Sequence, residues 1–158
     1  DLASDSAVIE DAITHALHTF SADHQVPATL VLLQPTSPLR KSSTISDAVR
    51  LFTENGSVGS VYGVIEAEHH PYKTFIANDS TLLPVGSIED LSRSRHELPK
   101  AYRQSGSIYV VGVQDFLTSN SLHISPVRWI EVGREEAIDV DTPADLEAVR
   151  QAARNANA

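Results

Sequence analysis

Thr29-Leu30-Val31-Leu32-Leu33-Gln34-Pro35-Thr36-Ser37-Pro38-Leu39-Arg40 begins with a short, continuously apolar run from Thr29 to Leu33. Such a run is how a strand buried on both faces reads. Pro35 and Pro38 exclude a helix from the next segment and fix a loop at the strand's C-terminal end. Beyond the loop, Ile45, Ala48, Val49 and Phe52 recur at helical spacing, with Ser43 as the cap and Gly56 where a C-terminal stop belongs. Ser60 to Glu66 reads as a second strand. A helix flanked by two strands is the signature of a βαβ unit in a parallel sheet.

The same pattern continues in both directions. Upstream, Ile9, Ile13, Ala16, Leu17 and Phe20 predict an amphipathic helix from Ser6 to about Ser21. Downstream, Ser107–Val113 and Val127–Val132 read as strands, and Gln114–Ser119 as a short helix. Thr142 is an N-cap, Pro143 sits at the first helical position and Asp145 completes a capping box. The last helix then runs from Pro143 to about Ala153, with Leu146, Val149 and Ala153 facing the core. Alternating strands and helices predict a three-layer α/β fold with ligands at the strand C-termini. Glu68 to Gly106 stands apart. It has scattered apolar residues, a hairpin around Asn78-Asp79 and a polar Ser92–His96 segment, and it is too long for an ordinary loop.

The chain has 158 residues, with 12 Lys and Arg against 21 Asp and Glu, a formal net charge of −9. Length and composition fit one globular domain, residues 1–158. The acidic balance argues against nucleic-acid partners, because phosphate contacts need a surplus of Lys and Arg. No Cys is present, so disulfides and thiolate metal sites are excluded. No apolar run approaches the roughly 20 residues that span a bilayer, and no secretory h-region is present, so no membrane partner is expected and the cytoplasm is the expected location. The sequence opens at Asp1 and contains no Met, which gives the expectation of an upstream segment. There is no G-x-S-x-G, G-x-x-x-x-G-K-[ST] or G-x-G-x-x-G, so hydrolase elbows, P-loops and dinucleotide-binding turns have no local support.

Three constellations carry chemistry. Read as a strand, Ile138-Asp139-Val140-Asp141 sends Ile138 and Val140 to the core and both carboxylates to the other face. Two acids so placed suit a hard divalent ion, or else Asp139 is a solvated residue and Asp141 an aid to the helix cap. The Gln34–Arg40 loop suits polar ligand recognition, or is only a rigid connection. Five of the twelve cationic side chains lie between Lys73 and Arg103, namely Lys73, Arg93, Arg95, Lys100 and Arg103. They suit a small anionic substrate, or form a solvated face. His15 and His18 share a helix face but lack a third ligand, and read as surface residues.

Five stretches together resemble the acylneuraminate cytidylyltransferases, also called CMP-sialic acid synthetases. They are Leu2-Ala3-Ser4-Asp5-Ser6-Ala7, Leu32 to Arg40, Glu68-His69-His70-Pro71-Tyr72-Lys73-Thr74, a set running from Arg95 through Leu98-Pro99, Tyr102-Arg103 and Gly106 to Ile108-Tyr109, and Ile138-Asp139-Val140-Asp141-Thr142. The resemblance implies a three-layer α/β/α, Rossmann-like sheet of the nucleotide-diphospho-sugar-transferase type, with residues 68–106 as a dimerisation arm of a homodimer. It implies transfer of CMP from CTP to the anomeric hydroxyl of a sialic-acid-like sugar, with pyrophosphate released and Mg²⁺ as cofactor. By the same resemblance Asp139 and Asp141 are the catalytic metal ligands. Gln34, Lys73, Arg95, Arg103 and Tyr109 bind the sugar acid, and Ser4, Asp5 and Ala7 lie near the nucleotide. The family's A-R-x-x-S-K-G-x-x-x-K-N segment is not found in these 158 residues, so the chain reads as N-terminally incomplete and is expected to show little or no synthetase activity alone. A cytidylyltransferase for another nonulosonic or ketodeoxy sugar acid, and a noncatalytic dimerising remnant, are the alternatives.

Overall fold

The structure, a computed structural model, describes residue 4 and residues 7–156. Among the described residues the strands and α-helices follow in the order α1 (Ile9–Ser21), β1 (Thr29–Leu32), α2 (Ser42–Glu54), β2 (Ser60–Glu66), β3 (Phe75–Asn78), β4 (Thr81–Pro84), α3 (Ile88–Ser92), β5 (Tyr102–Gly112), α4 (Val113–Ser119), β6 (Val127–Glu131) and α5 (Pro143–Ala156). The elements between residues 29 and 66 fall where the apolar spacing puts them.

Four strands form the main sheet in the order β1-β5-β2-β6. β5 pairs antiparallel with both β1 and β2, and β6 pairs parallel with β2. β1, β2 and β6 therefore run the same way, and their C-terminal ends share one edge of the sheet. β1 and β2 are parallel, as a βαβ unit requires, but they are not neighbours, because β5 is inserted between them. This corrects the burial expected of β1. All four of its residues are only half-buried, since it pairs on one side alone among the described strands. The doubly buried strands are the inner pair, β5 and β2.

The two faces of β5 support two apolar clusters. Val111, near its C-terminal end, packs with Ile13 and Leu17 of α1, Val113 and Phe116 of α4 and Leu122. Ile108 and Val110 pack with Val61 and with Ala48 and Phe52 of α2. Helices thus cover both sides of the sheet, giving three layers. In α5 only Val149 of the three expected core residues is buried, and Leu146 is 39% exposed. The capping box at its start is present: the Thr142 N–H and hydroxyl donate to Asp145 Oδ2 at 2.8 and 2.7 Å, and the Asp145 N–H donates to Thr142 Oγ1 at 3.3 Å. These bonds depress the Asp145 carboxyl below its usual range, the Thr142 hydroxyl contributing most. Ile138–Asp141 forms no strand. A single backbone bond, from the Val140 N–H to the Thr36 carbonyl at 2.8 Å, ties it to the loop after β1.

Between β2 and β5 the chain makes an excursion over residues 67–101. It leaves and returns at paired positions, since Glu66 faces Tyr102. The excursion carries the β3–β4 hairpin, expected around Asn78-Asp79; its two turn residues are Asp79 and Ser80, between the paired Asn78 and Thr81. The β2–β5 register slips where the partner of Tyr62 is Tyr109 and that of Val64 is Gln104, so residues 105–108 bulge opposite Gly63 alone. The bulge is fastened by its own serines. Ser105 Oγ donates to the Gly63 carbonyl at 2.9 Å and lies 2.7 Å from Ser107 Oγ. A Cβ on Gly63 would stand 2.8 Å from Ser107 Oγ and 2.9 Å from both Ser105 Oγ and Ile108 Cγ2. Gly63→Ala should therefore destabilise the protein by about 1–3 kcal/mol through overpacking. A melting temperature equal to that of the parent protein would show that the bulge gives way without cost.

Candidate active site at the strand C-terminal ends

Three segments meet at the edge where β1, β2 and β6 end. Gln34 follows β1, the β5 bulge comes across from the neighbouring strand, and the turn after β6 brings Asp139. In an α/β sheet this edge is where ligands bind, and bulges concentrate next to such sites. Gly106 sits at the meeting point with φ +74°, a conformation glycine adopts without penalty. A Cβ there would lie 3.0 Å from Gln34 Oε1, 3.8 Å from Asp139 Oδ2 and 3.9 Å from Ser37 Oγ. The bulge thus brings together Gln34 and Asp139, which are 105 residues apart in the chain.

The Gln34–Arg40 loop is held from within. The Gln34 carbonyl accepts from the Ser37 N–H at 3.2 Å and from Arg40 Nη1 at 2.7 Å. Burial lowers the Arg40 guanidinium from its ordinary value, yet a guanidinium remains charged at any physiological pH. Tyr109 pairs with both Leu32 and Tyr62. Burial pushes its hydroxyl up, and the neighbouring Tyr62 and the Asp139 charge push it further, so Asp139 acts electrostatically on Tyr109. Gln34, Asp139 and Tyr109 therefore form one group.

The acid pair keeps its alternation without a ladder: Ile138 and Val140 are half-buried, and Asp139 and Asp141 are exposed. Neither carboxylate forms an ion pair among the described residues. Among the described residues no three His, Asp or Glu side chains gather as a metal cage. Mg²⁺ is commonly held by one or two carboxylates together with substrate phosphates, and the exposed Asp139 and Asp141 are of that ligand type.

The remaining expected site residues lie elsewhere. Lys73 Nζ donates to the Leu91 carbonyl at 2.7 Å and to the Arg93 carbonyl, so it pins the excursion to itself. Arg95 lines a cavity of about 110 Å³ at the base of the excursion, with Glu66, Glu68 and His70. Arg103 borders an adjoining hollow with Glu68 and His69. His70 is fixed between the Tyr72 N–H and the Pro99 carbonyl. Of the five expected cations, Lys73 is occupied by carbonyls, Arg93 pairs with Asp90 at 3.1 Å, Arg95 and Lys100 line one cavity, and Arg103 borders the hollow next to it. Ser4 and Ala7 close an exposed turn, the Ala7 N–H donating to the Ser4 carbonyl at 2.9 Å. Asp5 lies outside the described residues. His15 and His18 are exposed on α1.

One residue that sequence reasoning missed organises the site. Ser43 does not cap α2. Lys41 occupies that position without a side-chain cap bond, and Glu136, from the turn after β6, supplies the carboxylate. Its Oε2 accepts from Thr44 Oγ1 at 2.6 Å and from the Lys41 N–H at 3.2 Å, and Lys41 Nζ lies 3.5 Å from Oε1. An acid at a helix N-terminus satisfies unpaired N–H groups and complements the helix dipole. The contact also fastens the turn that carries Asp139 and Asp141 to the helix that follows the Gln34–Arg40 loop.

The chain is 30% identical over 148 residues to an N-acylneuraminate cytidylyltransferase of Streptococcus agalactiae serotype III, a match covering 92% of this chain and 34% of that protein. It is also 30% identical over 147 residues to a CMP-N,N'-diacetyllegionaminic acid synthase of Legionella pneumophila, covering 92% of this chain and 62% of the other. The chain is a relative of the acylneuraminate cytidylyltransferases. It spans about a third of the length of the first protein and under two thirds of the second. No family model matches it. Among solved structures, 4-diphosphocytidyl-2C-methyl-D-erythritol synthase from Anaerococcus prevotii superimposes with a TM-score of 0.63 at 11% identity, covering 94% of this chain and 68% of that one. This likeness shows that the two chains share the three-layer α/β fold.

Burial alone would raise the Glu136 carboxyl, but the hydrogen bonds from Thr44, Lys41 and Gly133, with the Lys41 charge, hold it below its ordinary value of 4.5. A carboxyl depressed in the folded state adds stability that is complete above the unfolded value and lost as pH falls through the folded one. Glu136→Ala should cost about 1–2 kcal/mol at pH 7, the range of a lost N-cap. Its deficit against the parent protein should shrink below about pH 4. Thermal melts across pH 3–8 measure both, and a deficit independent of pH would refute the ionised cap.

Proposed function

We propose that the protein belongs to an enzyme that transfers CMP from CTP to the anomeric hydroxyl of a sialic-acid-like sugar. The anomeric oxygen forms a bond to the α-phosphorus of CTP, the bond to the β-phosphate oxygen breaks, pyrophosphate leaves, and the hydroxyl proton passes to water. The observation that carries this reading is the Gly106 bulge. It collects Gln34 and Asp139 at the ligand-binding edge in a chain aligned over 92% of its length with cytidylyltransferases.

In this reading Gln34 and Tyr109 orient the sugar acid, and Arg95, Arg103 and Lys73 answer its negative charge. Ser4, Asp5 and Ala7 lie toward the nucleotide. Asp139 and Asp141 are the ligands for Mg²⁺. The ion, when bound, neutralises phosphate charge and helps hold the triphosphate in line for attack, which is the main requirement in phosphoryl-type transfer. The protein's own task is to hold two anionic reactants in one geometry and to present oxygen ligands without tying them up in ion pairs. CTP is an intracellular nucleotide, so we assign the reaction to the cytoplasm.

We assign the 67–101 excursion to dimerisation. Its hairpin exposes Phe75, Ile76, Leu82 and Leu83, the middle two at 62% and 63%. The register puts Ile76 and Leu83 on one face of the ribbon and Phe75 and Leu82 on the other, so both faces expose apolar side chains. A lone two-stranded ribbon is marginal in water, and exposed apolar surface of this kind marks an interaction site. A second copy that covers the hairpin and completes the neighbouring site accounts for both the composition and the divided cations.

Pyrophosphate release with CTP, Mg²⁺ and either N-acetylneuraminate or another nonulosonic acid tests the activity in the full-length protein. Asp141→Ala should lower turnover by about 100-fold or more and weaken Mg²⁺ dependence, with the melting temperature nearly unchanged. Unaltered turnover would remove Asp141 from the metal site. For the hairpin, Ile76→Lys with Leu82→Lys should shift the protein to a monomer in sedimentation, and an unshifted dimer would place the interface elsewhere.

A further inference from the structure

Asp139 and Asp141 sit in a segment that joins no sheet ladder, so other contacts must fix where their carboxylates stand. Two ties to another part of the chain do so, one on each side of Asp139. Three residues before it, Glu136 Oε2 accepts from the Thr44 hydroxyl at 2.6 Å and from the Lys41 N–H at 3.2 Å. One residue after it, the Val140 N–H donates to the Thr36 carbonyl at 2.8 Å. Thr36, Lys41 and Thr44 belong to one continuous stretch, the loop after β1 and the first turn of α2. Residues 136–140 are therefore laid along residues 36–44, with Asp139 between the fastenings.

The two ties are unequal. A single neutral backbone bond has a modest net worth, whereas hydrogen bonds to an ionised carboxylate are about twice as strong. Glu136 is only 4% exposed, so its carboxylate depends on these partners. Lys41 Nζ, at 3.5 Å, belongs to a side chain 64% exposed, and that ion pair adds little. The Thr44 hydroxyl and the Lys41 N–H carry the tie. Both lie at the N-terminus of α2, and a helix N-terminus beside a ligand-side loop is ordinarily open to a phosphate group. Here a carboxylate of the same chain fills it, so this helix end holds the acidic turn and not a ligand.

Release of Glu136 leaves the segment fastened at Val140 alone. The Gln34–Arg40 loop keeps its own fastenings, because the Gln34 carbonyl accepts from the Ser37 N–H and from Arg40. The tie thus acts on the two acids and not on the residue read as the sugar contact. We propose that Glu136 is a positioning residue for the reaction: through Thr44 and the Lys41 N–H it sets Asp139 and Asp141 in register with the Gln34–Arg40 loop, without itself touching a substrate. The proposal rests on the cytidylyltransferase reading and deepens it, since it assigns to Glu136 a part in turnover beyond the stability it gives α2.

Two variants of the full-length protein and two readouts test it. Glu136→Ala removes the carboxylate, and Thr44→Val removes one donor while the Lys41 N–H remains. In pyrophosphate-release assays well below the melting temperature, Glu136→Ala should raise the Mg²⁺ concentration for half-maximal turnover by about 10-fold or more, the usual effect of losing a group that orients a metal ligand, and leave the KM for N-acetylneuraminate within about 2-fold. Thr44→Val should act in the same direction by a smaller factor, and the double variant should add nothing to Glu136→Ala. Hydrogen exchange, followed without Mg²⁺ or substrates, reads the register directly. The Val140 amide should lose protection by a larger factor than amides at the centres of β2 and β5, which report global opening.

A Glu136→Ala protein that melts lower but keeps the parent Mg²⁺ dependence would confine Glu136 to capping α2 and overturn the proposal. A Val140 amide that loses no more protection than the strand centres would do the same. Where Glu136→Ala does not fold, Thr44→Val decides by the same criteria. Parent protein that turns over no nonulosonic acid would overturn the functional reading and this proposal with it, a result distinct from normal parent turnover with unchanged variants.

Discussion

β5 runs antiparallel between two parallel strands, and the site depends on that placement. In a purely parallel sheet, strand C-terminal ends are followed by loops that leave for the helical layers. Here a strand enters through that same edge, bringing backbone and side chains from the opposite direction. The start of β5 cannot remain in register with both the ligand edge and the buried centre of the sheet. The slip opposite Gly63 absorbs the conflict, and its serine bonds make the slip a defined structure. Because the bulge lies where β1 ends, the segment that relieves the register is also the one that lines the site. Gly106 is the point at which the bulge of β5 meets Gln34 and Asp139.

The same economy appears in the charges. An acidic chain risks self-repulsion in its compact state, yet several carboxylates serve the backbone. Asp90 and Glu97 close short caps with Ser87 and Ser94 in the excursion, Asp145 closes the cap of α5, and Glu136 caps α2 from a distance. Each is held below its ordinary titration range by local bonds. Asp139 and Asp141 differ from these in that, among the described residues, neither a side-chain hydrogen bond nor an ion pair holds their carboxylates, although Glu136 and Asp145 on either side of them are held by such bonds.

What was legible in the sequence was what is local. Helix α2, strand β2, the Asn78-Asp79 hairpin and the Thr142–Asp145 capping box are each set by residues within a few positions of one another, so spacing and cap chemistry reveal them. The burial of β1 was misjudged because a run of five apolar residues does not say how many neighbours a strand has. Ile138–Asp141 alternates like a strand because one side packs and the other faces water, a condition that an extended segment meets without a ladder. Glu136 gave no signal, because its role depends on Lys41 and Thr44, some ninety residues away. Gln34 and Asp139 were picked from motifs, but that they meet follows from β5 insertion, which no local pattern encodes.

The division of the cations follows from the same topology. The acceptor oxygens of the site come from the sheet edge, whereas Lys73, Arg95 and Arg103 come from the excursion or its root. An excursion that leaves and returns at one pair of residues, Glu66 and Tyr102, pivots on the sheet edge and carries its charges outward. Within one chain, Glu66 and Glu68 face Arg95 across its cavity. In the proposed reaction a sugar acid needs cations for its carboxylate and acceptors for its hydroxyls, and the two sets lie on different segments of the chain. Exchange of an identical element between protomers is a low-cost route to a dimer. The proposed dimer uses the hairpin whose apolar side chains are exposed, which links that exposure to the cations on the same excursion.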